Sequence, residues 1–155
     1  MRTLINVRFP SSFGFDSNQY LWKISLDKND NIKLIDQMAN EAVSNGEDWQ
    51  GDWLSPRGMD LQINGGLGVS FTDIDFEKIP KILDLLDQLW IDGVEAIAPT
   101  LVTCSTSSLR RSLEVFRLVR KQNSSFRCKL LGAHLEGPFL SDIFKGVHNQ
   151  KFLTQ

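Results

Sequence analysis

The chain has only two histidines, His134 and His148, and a carboxylate, Glu136, follows the first of them by two residues. If an extended strand runs through 134–136, His134 and Glu136 leave the same face, because side chains alternate along a strand. A carboxylate and an imidazole on one face are the oxygen and nitrogen donors that hold zinc or iron. Gly137-Pro138 follows and gives Glu136 a rigid exit from the strand. Residue type alone leaves other uses open. Glu136 also suits a helix cap or an ion pair, and His134 a hydrogen-bonded place within an apolar strand. His148 lies in Lys145-Gly146-Val147-His148-Asn149, a polar loop from which a side chain either meets a ligand or simply meets solvent.

The remaining candidates are weaker. Gln62 and Asn64 end an apolar run, as do Thr100 and Thr103. Gly65-Gly66-Leu67-Gly68 fits neither GxxxxGK[ST] nor GxGxxG, so a turn is expected there rather than a phosphate cradle. Asp73 and Asp75 read as solvated or capping residues. Cys104 and Cys128 belong to no CxxC or Cys/His spacing and are expected to act as small buried hydrophobes.

These residues need elements to position them. Residues 58–64 form a candidate strand. Ile79, Ile82, Leu83, Leu86, Leu89 and Trp90 then make the stripe of an amphipathic helix, with Pro80 suited to its first turn and Gly93 to its stop. A strand is expected at 94–98, leading into Pro99-Thr100. Ser105 or Thr106 can cap a second helix that carries Leu109, Leu113, Val115, Phe116 and Val119. A third strand follows at 129–135. Strand, helix, strand, helix, strand is the order of parallel βα units, whose chemistry sits at the C-terminal strand ends. Gln62, Asn64, Thr100, Thr103 and Glu136 all fall at such ends.

Before residue 54 the pattern differs. Residues 4–9, 20–26 and 32–35 are short β-branched and aromatic runs separated by turn-forming clusters at 11–14 and 27–31, which predicts a small antiparallel β unit. Residues 36–51 lose the alternation and read as a connection. The boundary is therefore expected between 1–53 and 54–155.

Composition bounds the classes. The chain has 155 residues, a net charge of −2 and 41% hydrophobic residues, with 10 Phe and 4 Trp to build a core. Disorder is excluded, and the near-neutral balance lacks the basic footprint of a nucleic-acid binder. No apolar run reaches the ~18 residues of a spanning helix, and the start carries no secretory h-region, so no membrane partner and a cytoplasmic location are expected.

Four motifs, taken together, resemble one family. They are Leu54-Ser55-Pro56 with Asp60-Leu61-Gln62-Ile63-Asn64-Gly65-Gly66; Ala98-Pro99-Thr100-Leu101-Val102-Thr103-Cys104-Ser105; Gly132-Ala133-His134-Leu135-Glu136-Gly137-Pro138-Phe139; and Lys145-Gly146-Val147-His148-Asn149. In this order they resemble N-acetylglucosamine-6-phosphate deacetylases of the amidohydrolase superfamily, over essentially the whole chain and most weakly before Trp53. Arg57-Gly58 departs from the Gly-Phe usual there.

The resemblance implies an α/β fold: the first three strand-helix units of a (β/α)8 TIM-type metal-dependent hydrolase barrel, preceded by part of a small β-sandwich, with the barrel incomplete. It implies hydrolysis of the N-acetyl group of N-acetylglucosamine 6-phosphate to glucosamine 6-phosphate and acetate, with an amino-sugar phosphate as substrate. Glu136 would be a ligand of one divalent metal, zinc or iron. Val147 and His148 would contact the sugar, and Gln62, Asn64 and His134 would line the pocket. Gln62 and Asn64 stand where many amidohydrolases place an HxH pair, which implies the single-metal branch. The family takes two histidine ligands, its catalytic aspartate and further phosphate contacts from later strands. No residue of 1–155 fills those roles, so a truncated chain, inactive alone and not retaining its metal, is expected. It would need a complementary C-terminal portion or a homo-oligomer. The alternative is a non-catalytic remnant or interaction module that pairs with another chain.

Overall fold

Alternating runs near the N-terminus bury one side and hydrogen-bond edge to edge, and this is how the first residues are arranged. The computed structural model describes residues 2–11, 14, 20–38, 45–122, 124 and 126–154. Contacts divide the chain into two compact units, 1–56 and 57–155. In the first unit β1 (Arg2–Val7), β2 (Trp22–Leu26), β3 (Ile32–Gln37) and β4 (Glu47–Asp48) form a sheet of order β3-β2-β1-β4. The β1–β2 and β2–β3 pairs are antiparallel, as expected. The β1–β4 pair is parallel and falls inside the stretch read as a connection. Leu4, Val7, Phe9, Ile24 and Leu26 form the unit's core. Part of the turn expected at 11–14, and part of the connection expected at 36–51, lie outside the described residues.

The second unit is α/β. Its main strands are β5 (Gly58–Ile63) and β8 (Val94–Val102), with a small hairpin of β6 (Gly65–Gly66) and β7 (Val69–Ser70) between them. Next come β9 (Lys129–Leu130) and β10 (His134–Glu136), and β8 pairs in parallel with β5, β9 and β10. The connections are α1 (Ile79–Ile91) and α2 (Thr106–Lys121), since parallel neighbours need a crossover. The turn expected at 65–68 is the tip of the small hairpin.

The helices form for the reasons the sequence gives. Pro80 sits in the first turn of α1 and Gly93 lies just past its end at φ 88°, the left-handed position a glycine takes freely. Ser105 caps α2, its Oγ accepting from the Ser108 amide at 3.1 Å. Ile82, Leu85 and Leu86 of α1 and Val115, Phe116 and Val119 of α2 meet Phe71, Ile97, Leu101 and Leu130 in one core. Phe71 is fully buried and meets Phe116 edge to face, with ring centroids 5.6 Å apart. The Arg57 guanidinium lies over the Trp90 ring at 3.9 Å, a stack that occupies the position where the sequence departs from its look-alikes.

Two local readings change. The strand β8 continues through Pro99 to Val102 rather than stopping at 98. Pro99 is tolerated in a central strand because it stands where the β5–β8 register is irregular, between Asp60 and Ile63. The strand expected at 129–135 is two short pieces, β9 and β10, both held by β8. Asp73 and Asp75 stay largely exposed, as expected, Asp75 at the N-cap position of a 3-10 turn at Phe76–Lys78, and both pair with Arg111. Among the described residues no helix is long and apolar enough to cross a membrane.

Candidate functional site

The parallel arrangement puts the ends of β8 and β10 side by side, His134 opposite Thr100 and Glu136 opposite Val102. Thr100 is fully buried, and its Oγ1 lies 3.1 Å from His134 Nδ1. Thr103, one residue past β8, places Oγ1 2.8 Å from His148 Nδ1. The other ring nitrogen of His148, Nε2, lies 3.2 Å from Glu136 Oε1. Thr103, His148 and Glu136 therefore form one hydrogen-bonded chain, with Thr103 Oγ1 also 3.4 Å from the Glu136 carbonyl.

Backbone shape makes this closure possible. Gly137 has φ 90°, and a Cβ there would collide with Thr103 Oγ1. Only glycine lets the chain leave Glu136 and pass this close to the threonine. The loop then carries Phe139, Ile143 and Phe144 on the surface and brings His148 back. His148 is buried at 9% exposure, while its neighbour Val147 is 99% exposed. Glu136 keeps an open side, with its side chain 41% exposed.

The other expected site residues separate into neighbours and bystanders. His134 stands two residues before Glu136 in β10 with its Nδ1 occupied by Thr100. Gln62, near the end of β5, and Asn64, just past it, are both exposed and bond to each other, Gln62 Nε2 donating to Asn64 Oδ1 at 3.2 Å. Sequence reasoning marked Thr100 and Thr103 only as polar strand ends. The Thr100–His134 contact comes from the pairing of β8 with β10 and the Thr103–His148 contact from the loop at 137–148 folding back, neither of which local spacing records.

The cysteines lie apart from this cluster. Cys128 is fully buried, and desolvation pushes its thiol up to about 11. Cys104 is only partly buried, which corrects the expectation that both are core residues. Partial burial, with Asp73 nearby, pushes its thiol up as well.

As a metal centre the cluster offers one carboxylate, Glu136, already bonded through Oε1 to His148 Nε2. Among the described residues no group of three or more His, Cys, Asp or Glu side chains is placed to hold a metal ion. Catalytic zinc takes three protein ligands and an open position. The residues present fit one corner of such a site.

No family model matches the chain. The chain is 36% identical over 110 residues to an N-acetylglucosamine-6-phosphate deacetylase of Caenorhabditis elegans, a match covering 68% of this chain and 26% of the relative. It is 28% identical over 123 residues to the enzyme of that name from Haemophilus influenzae, covering 79% of this chain and 31% of the relative. The chain thus spans about a quarter to a third of the length of these curated relatives. Its fold is similar to a crystal structure of N-acetylglucosamine-6-phosphate deacetylase from Pasteurella multocida, with TM-score 0.62 and 24% identity, over 99% of this chain and 38% of that one.

Proposed function

We propose that this chain, a homologue of the N-terminal part of N-acetylglucosamine-6-phosphate deacetylases, supplies the first strands and one ligating carboxylate of an enzyme that hydrolyses the acetamido group of N-acetylglucosamine 6-phosphate. On this reading β5, β8 and β10 with α1 and α2 are the opening of a (β/α)8 barrel, and the four-stranded sheet is part of the β-sandwich. Water adds to the acetamido carbonyl, the C–N bond breaks, the amine leaves with a proton, and acetate remains. The observation that carries the reading is the convergence of Glu136, His148 and Thr103 at the C-terminal ends of parallel strands.

Glu136 would be one ligand of a divalent metal, zinc or iron, and the other ligands and the proton-transferring aspartate would come from residues outside these 155. When bound beside a substrate amide, such a metal polarises the carbonyl and acidifies its water. The work left to this chain is positional. His148 steadies Glu136 through Nε2, and the loop bearing Val147 offers exposed backbone to the sugar. Gln62, Asn64 and His134 would form the pocket wall, and the 155 residues alone would be inactive.

The test is acetate release from N-acetylglucosamine 6-phosphate when this chain is mixed with, or fused to, the C-terminal portion of a related deacetylase. Activity that appears only in the combination and is lost in Glu136→Gln supports the reading. No activity in any combination, with both parts folded, overturns it. The limited donor set favours one other reading, a module without chemistry of its own that pairs with another chain. That reading predicts a stable complex with the added portion and no acetate release.

A further inference from the structure

His148 is buried with a different partner on each ring nitrogen, a hydroxyl at Nδ1 and a carboxylate oxygen at Nε2. A neutral imidazole has one N–H and one bare nitrogen, so only one tautomer suits each pair of neighbours. With the proton on Nδ1, the bare Nε2 would point its lone pair at Glu136 Oε1 across 3.2 Å, acceptor against acceptor. The Thr103 hydroxyl would then have to donate to the Glu136 carbonyl at 3.4 Å, beyond the 2.5–3.0 Å range of an O–H···O bond. With the proton on Nε2, both contacts close. Thr103 Oγ1 donates to Nδ1 at 2.8 Å, and Nε2–H donates to Glu136 Oε1.

We propose that Thr103 is the positioning residue of His148: its hydroxyl, held beside Gly137, occupies Nδ1 and so fixes the imidazole as an Nε2–H donor aimed at Glu136. The consequence rests on the function proposed above, but the arrangement itself does not. His148 then offers a proton, not a lone pair. It therefore orients one oxygen of Glu136, and with Thr103 on Nδ1 both of its ring nitrogens are engaged. It is not itself a donor to a cation beside Glu136. His134, whose Nδ1 meets Thr100 Oγ1 at 3.1 Å, is an internal reference in the same strand pair.

The experiment is long-range proton–nitrogen correlation NMR on the full 155-residue chain labelled with 15N, in mildly alkaline buffer without metal or substrate, which reports which ring nitrogen carries the proton. The expected wild-type result is a proton on Nε2 of His148, with Nδ1 in its hydrogen-bonded range. Glu136→Ala should leave that tautomer in place, because Thr103 still occupies Nδ1. Glu136→Ala with Thr103→Val should give both tautomers, and Glu136→Ala with Thr103→Ser should restore the single one, while the His134 signals stay unchanged in all three. A wild-type proton on Nδ1 overturns the proposal without any variant. So does a mixture in Glu136→Ala alone, which would make the carboxylate the residue that sets the tautomer. Because no metal or substrate enters the measurement, this outcome is separate from the acetate assay that tests the deacetylase reading.

Discussion

Strand β8 takes part in two regions built on opposite principles. Ile97 and Leu101 belong to the core shared with α1 and α2, where many weak contacts at close-packed surfaces hold the sheet to its helices. Thr100 and Thr103 belong to the strand-end cluster, where single directional bonds hold two imidazoles. The core tolerates exchange of one apolar shape for another of equal volume. The cluster does not, since one hydroxyl or one glycine sets its geometry. Damage should therefore appear in different places: core changes chiefly in stability, cluster changes chiefly in the state of His148.

The largest effect is expected in the core. Phe71→Ala removes a fully buried ring from its contact with Phe116 and should cost about 3–5 kcal/mol in urea unfolding. A loss below about 1 kcal/mol would mean that the packed core described here does not form in solution.

Gly137→Ala sharpens the contrast from the other side. It forces a Cβ into Thr103 Oγ1 at φ 90°, so a cost of about 1–3 kcal/mol is expected together with loss of the Thr103–His148 bond. Thr103→Val should lose the same bond at a smaller cost in stability. An alanine variant with an unshifted Nδ1 signal would break the link between the glycine and the cluster.

A pH signature marks the core next. The Cys128 thiol titrates at about 11, above its ordinary value, because burial disfavours the thiolate. The unfolded chain loses this proton first, so the stabilisation is complete below the ordinary thiol range and is lost as pH rises toward about 11. Unfolding midpoints measured from neutral to alkaline pH should fall, and the fall should shrink in Cys128→Ala. At pH ~8, Cys104 should react with a thiol reagent before Cys128 does.

The smallest effect is at the rim. The Arg127 guanidinium bonds Asp87 from two nitrogens, at 2.5 and 2.7 Å, and holds its carboxyl below the usual range. A lowered carboxyl contributes stability above its ordinary range, and that contribution is lost as pH falls through the native value. Asp87 is partly exposed, so Asp87→Asn should cost less than about 1 kcal/mol at neutral pH and nothing in acid.

These regions differ also in how far the sequence reveals them. The stripe from Ile79 to Trp90, Pro80 in the first turn and the Ser105 cap place both helices, because each signal is local and repeats with a helical period. The polar pair Glu47-Asp48 carries no alternation, and its parallel partner β1 lies about forty residues away, so β4 was illegible. The break between β9 and β10 was hidden by an apolar run that reads as one strand. At the cluster, Glu136 and His148 were legible as chemistry. Their contact was not, since it depends on a loop returning after Gly137. Thr100 and Thr103 are three apart, a spacing that in a continuous strand separates them onto opposite faces. Thr103 escapes that rule by standing just past the end of β8.

On the proposed function, these residues would contribute Glu136 to a metal-dependent deacetylase whose remaining ligands lie outside them. Metal analysis of the purified 155-residue chain, loaded with zinc and then dialysed, tests it most directly. Zinc well below one per chain is expected, rising toward one per complex, dependent on Glu136, when the C-terminal portion of a related deacetylase is added. One tightly held zinc per chain without that portion, lost in Glu136→Ala, would contradict it, because the missing donors would then have to come from within this sequence.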